Sequence, residues 1–209
     1  MLLNTTKNLI FDLGGVIIDL DTSLSFQALS SFCLGTSSGE QLLSENVKLF
    51  LDYEKGLISS DDFRQGIRQL TTNEALSDEE IDEAWNRMLL HIPEERFKLL
   101  ETLRQKYRLF VLSNTNAIHV TAFNHIVEKT SGKPDLTHFF DKVYFSHEIR
   151  LRKPEPEIYE YVLQNSGLKA EESLFIDDRF ENIEAARALG MQVFHVTPEQ
   201  NILHFFAGE

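Results

Sequence analysis

The chain has 209 residues, long for one small core and short for two full domains, which predicts a single domain carrying an insertion. Hydrophobic residues make up 42% and charged residues 25%, which excludes a disordered chain, and a formal net charge of -13 repels phosphate backbones and anionic lipid, which excludes nucleic acid and membrane surfaces as partners. The single Cys33 cannot form an internal disulfide, the start MLLNTTKN turns polar before a signal segment can form, and every apolar run stops short of a membrane span, so a cytoplasmic monomer or dimer is expected.

The first predicted strand is NLIF at residues 8–11, followed by Asp12 and the pair Gly14-Gly15. The surrounding FDLGGVIIDLD holds two candidate aspartates, Asp12 and Asp19, each after an apolar triplet. The triplet before Asp19, Val16 to Ile18, follows directly on the glycine pair, whereas Asp12 has that flexible pair as its exit; pattern alone favours Asp12 and leaves Asp19 open.

Residues 22–92 then carry helical periodicity and almost no strand signal. Leu43, Val47, Phe50 and Leu51 fall on one helical face, with Gly56 as a stop; Phe63, Ile67 and Leu70 repeat the spacing after Ser59 and Ser60. Ser77 with Glu80 forms a capping-box pattern ahead of Ile81, Ala84, Trp85, Met88 and Leu89, and the whole predicts a bundle of three or four helices.

From residue 94 onward short apolar runs alternate with helical stretches: RLFVLSN, KVYFSHEI, SLFIDDR and QVFHVT. Buried strands alternating with helices predict an α/β fold, a doubly wound parallel sheet into which the helical bundle is inserted. The expected division is residues 1–17 with 94–209 as the α/β core and 18–93 as the helical insert. In such sheets ligands bind beyond the carboxyl ends of the strands, which selects Asp12, Ser113 with Asn114, Lys153 after KVYFSHEI, and Asp177 with Asp178.

Each of these has a plain structural alternative. Ser113 or Asn114 can cap the next helix, Asp178 with Glu181 fits a capping box, Lys153 can be a solvated charge, and Asp12 can be a turn residue. Together they say more, because three carboxylates from two strands would meet at one sheet edge, where two unit charges about 4 Å apart repel by about 4 kcal/mol. Such a cluster needs protonation or a cation, and carboxylate oxygens with room for water and a phosphate suit Mg2+.

FDLGGVIID, VLSNTN, RKPEPEIY and FIDDRFENIEAARALGM follow in the order and spacing of the haloacid dehalogenase superfamily, which the chain resembles over essentially its whole length, including a helical cap inserted after the first strand. Within it the sequence is most similar to a subgroup with Asp-Leu-Gly in the first motif, which includes the bacterial α-glucose-1-phosphate phosphatase. The resemblance implies a phosphomonoester hydrolase acting on a small phosphorylated metabolite, such as a sugar phosphate. Asp12 would be the nucleophile, forming an aspartyl phosphate. Ser113 would hold a phosphoryl oxygen with help from Asn114, and Lys153 would neutralise the nucleophile and the transferring group. Asp178 would bind Mg2+ beside Asp12, with Asp177 as a nearby or alternative ligand and Gly14 offering its backbone carbonyl. The departure from pattern is Gly14, where most phosphatases of the superfamily carry an aspartate that protonates the leaving oxygen.

Two other readings remain. A 2-haloacid dehalogenase needs neither metal nor leaving-group acid, but has little use for the Asp177-Asp178 pair. A non-catalytic binding protein on the same fold would have no reason to keep Asp12, Ser113, Lys153 and Asp178 together. The histidines show no zinc spacing, and His91, His119 and His147 are expected at the surface or at junctions; Glu54, Arg64 and Arg68 of the helical insert are weak candidates for substrate contact.

Overall fold

The computed structural model describes residues 5–33 and 39–208. Five strands, β1 (Asn8–Phe11), β2 (Arg108–Ser113), β3 (Lys142–Phe145), β4 (Ser173–Asp177) and β5 (Gln192–His195), form one parallel sheet in the order β3-β2-β1-β4-β5. The chain fills the sheet outward from β1 in one direction and then the other, so β1 and β4 flank the point where the strand order reverses. Phe11 pairs with Val111 and with Ile176, and this register brings Asp12, Ser113 and Asp177 to the same edge of the sheet.

The strands are apolar throughout because both faces are covered, and alternate residues divide between the two sides. Leu9, Phe11, Leu109, Val111, Leu174 and Ile176 pack with Phe97, Leu100 and Phe123 from α5 (Glu94–Leu103) and α6 (Ala117–Ser131). Ile10, Phe110, Leu112 and Phe175 face the opposite way, toward Ile158, Tyr159 and Ile183 of α8 (Pro156–Ser166) and α9 (Phe180–Ala188).

Between β1 and α5 four helices, α1 (Thr22–Ser30), α2 (Gly39–Glu54), α3 (Ser60–Thr71) and α4 (Asp78–Asn86), enclose their own core, built around Phe50, Phe63, Ile67, Ile81 and Trp85. Capping boxes set the starts of α3 (Ser59 with Asp62) and α4 (Ser77 with Glu80). The exit and return of the chain run side by side: Asp19 N–H donates to the His91 carbonyl at 2.9 Å, and Leu90 N–H donates to the Asp19 carbonyl at 3.0 Å. No helix among the described residues is long and apolar enough to cross a membrane.

Several sequence expectations change. KVYFSHEI is β3 followed by the short helix α7 (Ser146–Ile149), so Lys153 sits in a loop and not at a strand end. Strand pairing ends at Phe145, opposite Ser113, the last residue of β2; the next residue, Ser146, accepts from Thr115 N–H at 2.9 Å through its hydroxyl, which lies 2.5 Å from the Glu54 carbonyl. Non-helical backbone at Asn46 (φ -130°, ψ 25°) breaks the phase of α2, so Val47 is 42% exposed while Leu42, Phe50 and Tyr53 are buried; the side chain of Leu43 lies outside the described residues, as do Met1 to Asn4 of the chain start. Neither helix at the sheet edge is capped as the plain alternatives supposed: Asn116 caps α6, and Arg179 occupies the cap position of α9 without a side-chain bond.

Candidate active site

β1 delivers Asp12 with its backbone still tied to the sheet, its N–H donating to the Ile176 carbonyl at 2.8 Å. The chain must then turn away beneath Asp178. Gly15 has φ +71°, and a Cβ there would stand 2.4 Å from Asp178 Oδ2, so close approach and left-handed backbone both require glycine. Val16 to Ile18 form a tight buried turn closed by Ile17 N–H and Ile18 N–H onto the Leu13 carbonyl, not a strand that aims Asp19 at the site. Asp19 instead pairs with Arg96 at 2.7 Å and with His91 at 3.3 Å where the helical segment joins the sheet.

Lys153 is 1% exposed and lies between two carboxylates, 2.8 Å from Asp12 Oδ1 and 2.7 Å from Asp177 Oδ2. Its place in the loop is fixed by Asn114, whose side chain donates to the Lys153 carbonyl and accepts from its N–H, both at 2.9 Å. Asn114 thus commits its amide to holding the lysine. Ser113 is buried and lines the same cavity as Asp12, Lys153 and Asp178.

The adjacent aspartates differ. Asp177 has no exposure; its carboxylate accepts from Lys153, from Arg179 N–H at 2.8 Å and from Asn182 Nδ2, which is 3.0 Å from each oxygen. Asp178 is exposed at the cavity edge, and its carbonyl meets His195 Nε2 at 2.9 Å. One carboxylate oxygen from each of Asp12, Asp177 and Asp178 lies within 4.8 Å of the other two.

Three carboxylates around one lysine leave an excess of negative charge. Burial pushes the Asp12 carboxyl up to about 7 against the pull of Lys153, with Asp177 and Asp178 pushing the same way as burial. Asp178 is also raised, by the partial desolvation of its carboxylate at the cavity edge and then by Asp177. Burial opposes the charge on Lys153, but Asp12 and Asp177 outweigh it and raise its pKa. Hard oxygen donors with uncompensated charge fit Mg2+, and Asp178 and Asp12 are the two with oxygens not saturated by protein donors.

Above this floor a cavity of about 620 Å³ extends to the helical segment. Its far wall includes Leu20, Phe26, Val47, Phe50, Trp85 and Met88, with Glu54 reaching across to Arg152 at 3.0 Å. Arg64 and Arg68 are turned to Asp61, Asp78 and Asp82 within the helical segment and do not line the cavity. His119, expected at the surface or a junction, is buried: its ring stacks on Trp85 and meets Asn116 Nδ2 and the Trp85 carbonyl, both at 3.1 Å. Burial lowers its pKa to about 4, so the ring is neutral. Asn182, Arg152, Ser146 and His119 drew no role from the sequence; only Asn182, a polar residue on the face of α9 that it shares with Ile183 and Ala186, carried a readable signal.

Residues 6–190 match the model of the haloacid dehalogenase-like hydrolases. The chain is 31% identical over 188 residues to a D-ribitol-5-phosphate phosphatase of Bacteroides thetaiotaomicron, covering 90% of each, and 30% identical over 200 residues to a sesquiterpene phosphatase of Aspergillus oryzae, covering 92% of this chain and 91% of that one. Its structure superposes with a TM-score of 0.83 and 35% identity on a haloacid dehalogenase family enzyme of Bacteroides thetaiotaomicron solved with magnesium and inorganic phosphate, covering 96% of this chain and 99% of that one.

Proposed function

The chain belongs to the haloacid dehalogenase-like hydrolases, and from that premise we propose that it is a Mg2+-dependent phosphomonoester hydrolase that works through an aspartyl phosphate on Asp12. The observation that carries this reading is the buried Lys153 shared by Asp12 and Asp177, with Asp178 at the open edge of the same cluster. Relatives named as phosphatases and a magnesium- and phosphate-bound neighbour support it.

Asp12 and Asp178 would hold Mg2+, with the Gly14 carbonyl as a third protein donor and Asp177 beside them. When bound, the ion screens the carboxylates from the incoming phosphate and withdraws charge from the phosphoryl group. Lys153 fixes Asp12 Oδ1, so the carboxylate presents its remaining oxygen in one orientation. That oxygen attacks phosphorus, the ester P–O bond breaks, and the leaving oxygen keeps the electron pair and takes a proton from solvent. Ser113 and the backbone at Asn114 hold phosphoryl oxygens, and the Lys153 charge opposes the negative charge that spreads over them. Water then attacks the phosphoaspartate and frees phosphate and Asp12. Residues 18–93 would serve as the cap over a core of residues 1–17 and 94–209.

No carboxylic acid stands at Gly14, and the space above it is filled: a Cβ there would meet Leu20 Cδ1 at 2.3 Å. Departure without a side-chain acid makes the rate steep in leaving-group pKa, so aryl, acyl and sugar 1-phosphates should outrun alkyl phosphates. The Asp-Leu-Gly resemblance to the α-glucose-1-phosphate phosphatase subgroup supports this feature and is not extended to glucose 1-phosphate as the substrate.

The test is phosphate release from an aryl phosphate with Mg2+ and after chelation. Release that chelation abolishes supports the proposal. Metal-independent halide release from 2-chloropropionate would replace it with dehalogenation, and neither activity would leave a binding protein.

A further inference from the structure

One edge of the cavity differs from the rest of its roof. Leu20, Phe26, Val47, Phe50, Trp85 and Met88 make most of the roof apolar, but α2 ends on Glu54, whose carboxylate meets Arg152 of the Lys153 loop at 3.0 Å. The backbone around this pair is fixed. Ser146 Oγ lies 2.5 Å from the Glu54 carbonyl and accepts from Thr115 N–H at 2.9 Å. A Cβ on Gly56 would stand 2.0 Å from the His147 carbonyl, and Arg152 directly precedes the Lys153 that Asn114 clamps. The pair is also drawn away from water, with side-chain exposures of 28% for Glu54 and 18% for Arg152.

The pair is not saturated. It is joined through Glu54 Oε2 and Arg152 Nη2; among the described residues Glu54 Oε1, the buried Arg152 Nε and the Thr115 hydroxyl of the same lining have no partner. A buried donor keeps its full desolvation penalty until an acceptor reaches it. Charge narrows what that acceptor can be. A second anion would face Glu54, Asp21 and the three carboxylates of the floor, and a cation would face Arg152 and Lys153. A hydroxyl is neutral and both accepts and donates, so one such group can accept from Arg152 and donate to Glu54 at once. We infer that Arg152 and Glu54 are the specificity-determining residues of this site, and that together they read a hydroxyl on the leaving group of a polyhydroxy alcohol phosphate. The inference rests on the phosphatase reading of the same site and deepens it.

The experiment measures kcat/KM for glycerol 3-phosphate, erythritol 4-phosphate and ribitol 5-phosphate, each against the n-alkyl phosphate of the same carbon number, in wild type, Arg152→Lys and Glu54→Gln. Arg152→Lys keeps the charge that pairs with Glu54 but removes the Nε donor. Glu54→Gln keeps an acceptor toward Arg152 but puts a donor in place of the free oxygen. Taking each variant relative to wild type on the same ester cancels the leaving-group pKa. The expected result is a preference for polyol over alkyl esters in wild type that falls by about tenfold or more in each variant, the loss of one hydrogen bond to a charged group. A merely structural role for the pair would lower both ester classes equally and leave the preference where it was. Alkyl esters as good as polyol esters in wild type, or a preference that both variants keep, would overturn the inference, while phosphate release would leave the phosphatase reading standing. Release from none of these esters and from no aryl phosphate would overturn both.

Discussion

The floor and the roof of the cavity are built in opposite ways. On the floor, hydrogen bonds fix the position of almost every charged atom: Asn114 clamps Lys153, Lys153 joins Asp12 to Asp177, and Asn182 with the Arg179 N–H completes Asp177. On the roof, side chains from separate helices, most of them apolar, contribute surface. A floor made of strand ends and short loops holds reacting groups at fixed distances, whereas a roof made of helix faces selects by shape and hydrophobicity. Under the proposed function the floor carries the chemistry and the roof the choice of substrate.

The largest expected break is Asp12→Asn, which should lower phosphate release by at least about 10⁴-fold, since the nucleophile is removed. It should at the same time stabilise the metal-free protein. Burial raises the Asp12 pKa in the folded protein to about 7 from the ordinary 3.8, so between those values the folded state holds a proton that the unfolded state has lost, and stability falls as pH rises. At pH 8 the variant should therefore resist urea better than wild type by roughly a few kcal/mol, and a lower midpoint would contradict the charge balance drawn for the floor.

Asp177→Ala sharpens the contrast within the floor. It removes the fully buried partner of Lys153 and strands Asn182 and the Arg179 N–H, so it should cost about 3–5 kcal/mol in urea unfolding. Asp12, at the cavity wall, should cost less when changed to alanine; equal losses would show that Asp177 is not the structural anchor.

His119 tests the boundary between the two regions. Its folded pKa of about 4 lies below the ordinary 6.5 of a free imidazole, so at neutral pH it adds no pH dependence, and stability falls as pH drops from 6.5 toward 4, where the unfolded chain binds a proton that the folded chain refuses. The fall should approach about 3 kcal/mol, and urea titrations of His119→Gln should be flatter over the same window. A slope unchanged by the substitution would place the acid sensitivity elsewhere.

The smallest effect is expected where roof and floor touch. Gly14→Asp should improve alkyl phosphates by about tenfold relative to aryl phosphates, and more when combined with Leu20→Ala, because Leu20 Cδ1 occupies the space the new side chain needs. Equal gains for both ester classes would mean that the aspartate does not reach the leaving oxygen.

Most of the floor was legible because its residues follow directly on apolar strands or stand in short motifs whose polar types are costly to bury without a task. Lys153 was legible as a residue but not in place: KVYFSHEI reads as one run, yet pairing ends at Phe145, opposite the last residue of β2, and a short helix begins at Ser146. The roof was not legible for a different reason. Helical periodicity marks Phe50, Trp85 and Met88 as facing inward, yet a face packed on protein and a face lining a cavity carry the same pattern. The kink at Asn46 added a phase shift that exposes Val47, and the burial of His119 depends on a stacking partner far away in sequence, Trp85.

The central claim is that Asp12, and not Asp19, receives the phosphoryl group. Acid-quenching the Mg2+-bound protein during turnover of an aryl phosphate, followed by peptide mass spectrometry, tests it directly. The account predicts one phosphoryl group on Asp12, no such adduct in Asp12→Asn, and an unchanged adduct in Asp19→Asn, whose carboxylate is held by Arg96 at the edge of the helical segment. Phosphate on Asp19, or rapid turnover in Asp12→Asn, would contradict it.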